Sequence, residues 1–262
     1  MHFSPMLQDK PLIIGGRTYH SRLIIGTGKY PSFEIMQKAH EISGAEMVTV
    51  ALGRVKLDGP DEENILNFIN PKKYVLLPNT AGAFNVEDAL RIARLSRAQG
   101  MNLIKLEVLF DAKTLLPDPL ATYEASKKLV EEDFTVMVYT NDDPVLAKKL
   151  EDLGVAAVMP AGSPIGSGQG VINHNNIHII MESLSCPVIV DAGMGTASDL
   201  ALAMELGVDG ILCNTGVACA QDPVRMARAF RMACEAGRDA WLAGRIPRKI
   251  YGSASSPLEG LR

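Results

Sequence analysis

Several things that would mark common protein classes are scarce in this sequence. Its 262 residues hold four cysteines, Cys186, Cys213, Cys219 and Cys234, and no two of them form a CxxC pair. Four scattered thiols in an acidic chain of this size point to reduced cysteines in a cytoplasmic protein, not to a disulfide framework. The five histidines (His2, His20, His40, His174, His178) do not cluster with one another or with the cysteines. A metal centre therefore has little to build on, and no metal or cofactor is expected. No apolar run reaches the ~18 residues that would span a bilayer. The opening MHFSPMLQDKP carries Asp9 and lacks a continuous apolar core, so it does not read as a signal peptide. A basic stripe is absent too: Lys127-Lys128 and Lys148-Lys149 are flanked by acids, Lys72-Lys73 is a lone pair, and the net charge is -4. Neither nucleic acid nor membrane is expected as a partner.

Aromatic residues are only 5% of the chain while apolar residues reach 47%, so the core must be aliphatic and large, and disorder is excluded. The aliphatic residues come in short runs: LIIGT (23–27), MVTVAL (47–52), YVLLP (74–78), LIKLEVL (103–109), TVMVYT (135–140), VAAVMP (155–160), PVIVDAG (187–193) and GILCN (210–214). Runs of this length that do not alternate with polar residues suit strands buried on both faces of a parallel sheet. Their starts fall 20 to 32 residues apart, which leaves room for a helix in every gap.

Helix signals fill most of those gaps. Pro31-Ser32 opens 31–43, Asn85 precedes 85–98, Asp118-Pro119 starts 119–131, and an Asp-Asp-Pro signal starts 143–152. Further helices are expected over 197–206, ending at Gly207, and over 222–243. Eight strands alternating with about eight helices predict a (β/α)8 TIM barrel spanning 1–262 as a single domain. The alternative, a doubly wound sheet, would want GxGxxG after the first strand, and GTGKYPS lacks the third glycine. PLIIGGRTYHSRL (11–23) reads as a hairpin turned at Gly15-Gly16 that covers the bottom of the barrel. The tail from about 246 to 262 is rich in Gly, Ser and Pro and is expected to be mobile.

Active sites of barrels lie at the C-terminal ends of the strands. The fourth run, LIKLEVL, places Lys105 and Glu107 on one face and Ile104 and Leu106 on the other. The outer face must meet helices, so the charged pair faces inward. Burial should lower the lysine's pKa toward neutrality, and a neutral amine in a barrel mouth is what imine chemistry on a carbonyl needs. The alternative is a purely structural Lys–Glu ion pair. Asp191 ends the seventh run, either as an acid/base group or as a helix cap. Gly193 and Gly195 follow it, and Asn214, Thr215 and Gly216 follow the eighth run. These are the loops where the fold usually holds phosphate, although each glycine pair also suits an ordinary tight turn. MPAGSPIGSGQG (159–170) is either a substrate-covering loop or a connector, and Asn79 and Thr80 either touch substrate or form a turn. The residues taken alone point to a phosphosugar lyase or transferase acting through a lysine imine. An aldolase and a non-catalytic phosphosugar-binding protein are the alternatives.

GTGKYPS (26–32), LLPNTAGA (76–83), IKLEV (104–108), LLPDP (115–119), PIGSGQG (164–170), VIVDAGMG (188–195) and YGSASSP (251–257) together resemble the bacterial thiazole synthases, from about residue 11 to 260. The resemblance implies a barrel enzyme, a sulfur-transferring transferase, that makes the thiazole phosphate half of thiamine from 1-deoxy-D-xylulose 5-phosphate. It implies an imine of Lys105 with the sugar's C2 ketone, followed by a shift of the carbonyl to C3. Sulfur then comes from the C-terminal thiocarboxylate of a sulfur carrier protein, and dehydroglycine from a separate enzyme supplies the nitrogen and remaining carbons. Glu107 and Asp191 match the family's acid/base residues. Gly166, Ala192, Gly193, Asn214 and Thr215 match its substrate contacts, mainly at the phosphate end. A homo-oligomer is also implied. Where the family usually carries paired arginines, this chain reads ALGRV (51–55), with Gly53 before Arg54.

Overall fold

The computed structural model describes residues 9–51 and 65–255. A hairpin comes first, β1 (Leu12–Ile14) against β2 (Arg17–Tyr19), antiparallel with Ile14 opposite Arg17. Its turn is Gly15-Gly16, at φ of 56° and 77°, a left-handed pair that glycine adopts without steric cost. Eight parallel strands follow: β3 (Leu23–Gly26), β4 (Met47–Val50), β5 (Val75–Pro78), β6 (Leu103–Leu106), β7 (Thr135–Thr140), β8 (Ala157–Pro160), β9 (Ile189–Asp191) and β10 (Gly210–Cys213). They run as β5-β4-β3-β10-β9 and β6-β7-β8. Single bridges join the two groups, Asn79 with Lys105 on one side and Val158 with Val188 and Ala161 with Asp191 on the other. The sheet thereby closes into the expected (β/α)8 barrel, with all eight aliphatic runs as its staves.

The helices begin where the capping chemistry put them. Ser32 accepts from Ile35 N ahead of α1 (Phe33–Ser43), and Asn85 accepts from Asp88 N ahead of α2 (Val86–Ala98). Asp118 and Asp143 accept from the first-turn amides of α3 (Pro119–Glu131) and α4 (Pro144–Asp152), each with proline in the first turn, where its missing N–H costs nothing. After them come α5 (His174–Ser183), α6 (Ala197–Glu205), the four-residue α7 (Thr215–Ala218) and the long α8 (Pro223–Ala243). The gap between β4 and β5 is described only in part, since residues 52–64 lie outside the described residues. Between β4 and β5 the described residues hold only a 3-10 turn, Ile65–Phe68, which Pro71 soon follows.

Two apolar layers result. Leu23, Ile25, Val48, Ile104, Leu106, Val136 and Val138 face the helices. Ile24, Met47, Leu77, Met137, Met159, Ile189 and Leu212 fill the barrel, and Leu12, Ile14 and Tyr19 of the hairpin join them. A Cβ on Gly15 would lie 2.7 Å from Cγ2 of Thr135, the first residue of β7. The hairpin therefore plugs the N-terminal end of the barrel, as expected, and among the described residues the C-terminal end is open. Residues 244–255 carry no helix or strand and are exposed, and the rest of the tail lies outside the described residues.

Candidate active site

The open end leads into a cavity of about 940 Å3, at the upper end of the range for small-molecule sites. Lys105, Glu107 and Asp191 lie on its floor, at 5%, 6% and 3% exposure. Lys105 points inward from β6 because Ile104 and Leu106 take the helix-facing positions, and Glu107 follows two residues later on the same side. Asp191 arrives as the last residue of β9. Its carboxylate Oδ2 is 2.5 Å from Lys105 Nζ, and Glu107 Oε2 is 3.5 Å away. One ammonium thus sits between two buried carboxylates. Asp191 is not a helix cap, since Thr196 occupies that position for α6.

The electrostatics correct one expectation. Burial does push the Lys105 pKa down, and it is the largest single influence, but the charges of Asp191 and Glu107 together outweigh it and hold the ammonium form above the ordinary lysine range. Burial raises the Asp191 carboxyl, with Glu107 adding to the rise and Lys105 opposing it. Both groups therefore hold protons more tightly than they would in water. The Lys105 Nζ also lies 5.2 Å from the ring centroid of Tyr139, a fully buried residue whose hydroxyl burial has pushed up. Tyr139 shares the inward parity of Thr135 and Met137 in TVMVYT, a signal that could have found it.

Thr80 is fully buried and does not reach the cavity. Its hydroxyl donates to the Glu107 carbonyl at 2.7 Å and accepts from the Glu107 amide at 2.8 Å, so it clamps the backbone that carries the carboxylate. Asn79 does line the cavity, and its side chain also accepts from Ala81 N.

All five expected substrate contacts, Gly166, Ala192, Gly193, Asn214 and Thr215, line the same cavity. Ala192 and Gly193 both have positive φ, 68° and 83°. A Cβ on Gly193 would come within 2.1 Å of Ser163 Oγ and 2.9 Å of Gly170 O, so only glycine fits between these loops. Gly170 N donates to Gly193 O and Ile172 N to Gly162 O. The 159–170 segment is thus tied down against the loop after β9, with Gly166 and Gly168 on the cavity wall. Asn214 Nδ2 donates to Gly28 O at 3.1 Å, which joins the loops after β10 and β3. Lys29, which lies within GTGKYPS but to which the sequence assigns no role, also lines the cavity. Phe33, Phe84, Leu109 and Leu115 supply apolar lining to the same cavity. Gly53 and Arg54, where the family's arginine pair would be, lie outside the described residues.

Comparison with known proteins adds a second line of evidence. Residues 13–257 match the family described as thiazole biosynthesis protein ThiG. The thiazole synthase of Myxococcus xanthus is 59% identical over 97% of this chain and 98% of its own length, and that of Geobacter sulfurreducens is 60% identical over 95% and 96%. Among solved structures, a chain of the Amycolatopsis orientalis BexX/CysO complex is 30% identical and superimposes with a TM-score of 0.83, covering 93% of this chain and 100% of that one.

Proposed function

The chain belongs to the thiazole synthase family, the thiazole biosynthesis proteins ThiG, and on that premise we propose that it builds the thiazole phosphate of thiamine from 1-deoxy-D-xylulose 5-phosphate bound as an imine of Lys105. The observation that carries the reading is the buried Lys105–Asp191–Glu107 cluster at the foot of a cavity with a glycine-rich wall.

The resting lysine is an ammonium, so it must lose a proton before it can attack the C2 ketone. Asp191 is the acceptor, in contact with Nζ and with a carboxyl that burial already inclines to hold a proton. That transfer turns a desolvated ion pair into a neutral amine and a neutral acid, which the low-dielectric floor tolerates better than two isolated charges. The same proton can return to the carbinolamine hydroxyl as water leaves and the imine forms. Glu107, on the other side of the nitrogen, is placed to carry the proton between carbons when the carbonyl moves from C2 to C3. The phosphate lies against Gly166, Ala192, Gly193, Asn214 and Thr215, where glycine backbone permits close approach. The apolar side with Phe84, Leu109 and Leu115 is left for the thiocarboxylate tail of the sulfur carrier protein. A relative solved as a two-component complex supports a protein partner of this kind. Dehydroglycine from a separate enzyme and self-association into a homo-oligomer belong to the same reading. The four unpaired cysteines suit a reducing, cytoplasmic setting.

The test is mass spectrometry of the intact protein after incubation with the sugar phosphate and borohydride, followed by peptide mapping. A single adduct on Lys105 is expected. An adduct elsewhere, or none while the sugar phosphate still binds, overturns the imine.

A further inference from the structure

We propose that Lys29 is a substrate-binding residue of this site, the cation that pairs with the phosphate of the sugar. The inference rests on the function proposed above. Among the described residues lining the cavity, the cations are Lys105 and Lys29, and the anions are Glu107 and Asp191. Lys105 is held by both carboxylates, so the described lining without Lys29 carries a net charge of -1, which repels a phosphate dianion. Lys29 is exposed and makes no ion pair or hydrogen bond with the described residues. Its charge is available to a ligand.

Its placement favours the phosphate over the other anions of the reaction. The wall expected to hold phosphate (Gly166, Ala192, Gly193, Asn214 and Thr215) has no charged side chain, so backbone and amide groups there would have to neutralise a dianion unaided. Lys29 follows Gly28, whose carbonyl accepts from Asn214 Nδ2. Gly26, at the end of β3, approaches Asn214 so closely that a Cβ on it would fall 2.6 Å from Asn214 Cβ. The loop after β3 is thereby fixed to the wall that carries Asn214. The backbone supports the same assignment. Lys29 has φ of 69°, and of the four non-glycine residues with positive φ (Lys29, Leu115, Asp133 and Ala192) all but Asp133 line this cavity. Left-handed backbone at a lysine is strained, and such strain persists where the surroundings demand a particular aim for the side chain. A charge-assisted contact to phosphate from a single lysine shifts binding by about tenfold or more.

The experiment is borohydride trapping on the intact protein, with adduct on Lys105 followed against sugar concentration for 1-deoxy-D-xylulose 5-phosphate and for the unphosphorylated 1-deoxy-D-xylulose. Lys29→Met is expected to raise the half-saturating concentration of the phosphorylated sugar about tenfold or more and to leave that of the unphosphorylated sugar where it was, and Lys29→Arg is expected to recover most of the loss. An equal loss for both sugars, no shift for either, or an Arg variant as impaired as the Met variant would overturn the assignment. If the parent protein forms no adduct on Lys105, the proposed function fails first, and the two failures are distinguished.

Discussion

Thr80 and Glu107 hold each other across two adjacent strands, the threonine hydroxyl donating to the glutamate's carbonyl and accepting from its amide. The contact is wholly backbone on the glutamate's side, so the carboxylate stays free for Lys105. Thr80→Val keeps the shape and strands a buried N–H and C=O, at a cost of about 1–3 kcal/mol. We expect a lower thermal midpoint and a kcat reduced more than KM, with Thr80→Ser near the parent. A Val variant with parental kcat would show that Glu107 needs no such clamp.

Asp191→Asn separates the two roles of the aspartate. Its charge is the largest influence raising the Lys105 pKa against burial, so removing it lets burial act with less opposition and the pKa falls. The pH at which borohydride trapping of the sugar phosphate rises should therefore move to lower values. Turnover should drop by about 10²–10⁴ if Asp191 is the proton acceptor proposed above. A trapping profile that stays in place or moves to higher pH contradicts the assignment of Asp191 as the controlling charge.

Lys105→Met leaves Asp191 and Glu107 buried side by side without their counter-ion. Breaking such a pair costs about 3–5 kcal/mol near neutral pH. The sign of the pH dependence follows from the carboxyl. A folded-state pKa above the unfolded one favours the folded state while the group is protonated, and this advantage is lost as pH rises through the folded value. The deficit of the Met variant should therefore be large at pH 8 and shrink toward about pH 5, as urea unfolding at both values will report. A deficit independent of pH would mean that packing, not charge, is what the variant loses.

Gly193→Ala tests the seam between the loops after β8 and β9. The added methyl meets Ser163 Oγ at 2.1 Å and the backbone has φ of 83°, so the loops must separate. Half-saturation for the sugar phosphate should rise steeply, with a loss of at least about 1–3 kcal/mol in stability. Calorimetry of the unliganded variant and trapping titrations measure the two effects separately. Parental sugar affinity would show that the seam does not shape the proposed phosphate site.

Much of the architecture is local in origin and was therefore legible in the chain. Eight aliphatic runs became eight strands because residues buried on both faces of a parallel sheet have no polar alternation to hide. Ser32, Asn85, Asp118 and Asp143 cap helices because a side-chain oxygen two or three bonds from Cα reaches the first-turn amides wherever it occurs. α5 was less legible because only Ile177 and Ile180 of its ten residues are buried, too few to mark a stripe.

The inward aim of Lys105 and Glu107 was likewise written in the strand, since side chains alternate and the outer face must be apolar. What the chain by itself could not decide is what those two residues meet. Asp191 reaches Lys105 only because single bridges at Asn79–Lys105 and Ala161–Asp191 close the barrel, and strand parity says nothing about neighbours so far apart in sequence. The charge state of the lysine went the same way: burial alone predicts a neutral amine, and the folded arrangement of two carboxylates around it keeps the proton on. Thr80 and Lys29 lie inside the motifs LLPNTAGA and GTGKYPS, but nothing along the chain shows that one would clamp Glu107 and the other line the cavity. Composition and periodicity determined the barrel and the face of each strand, because those depend on neighbours along the chain. The tertiary structure decided the chemistry, because a proton's position depends on the charges that folding brings within a few ångströms.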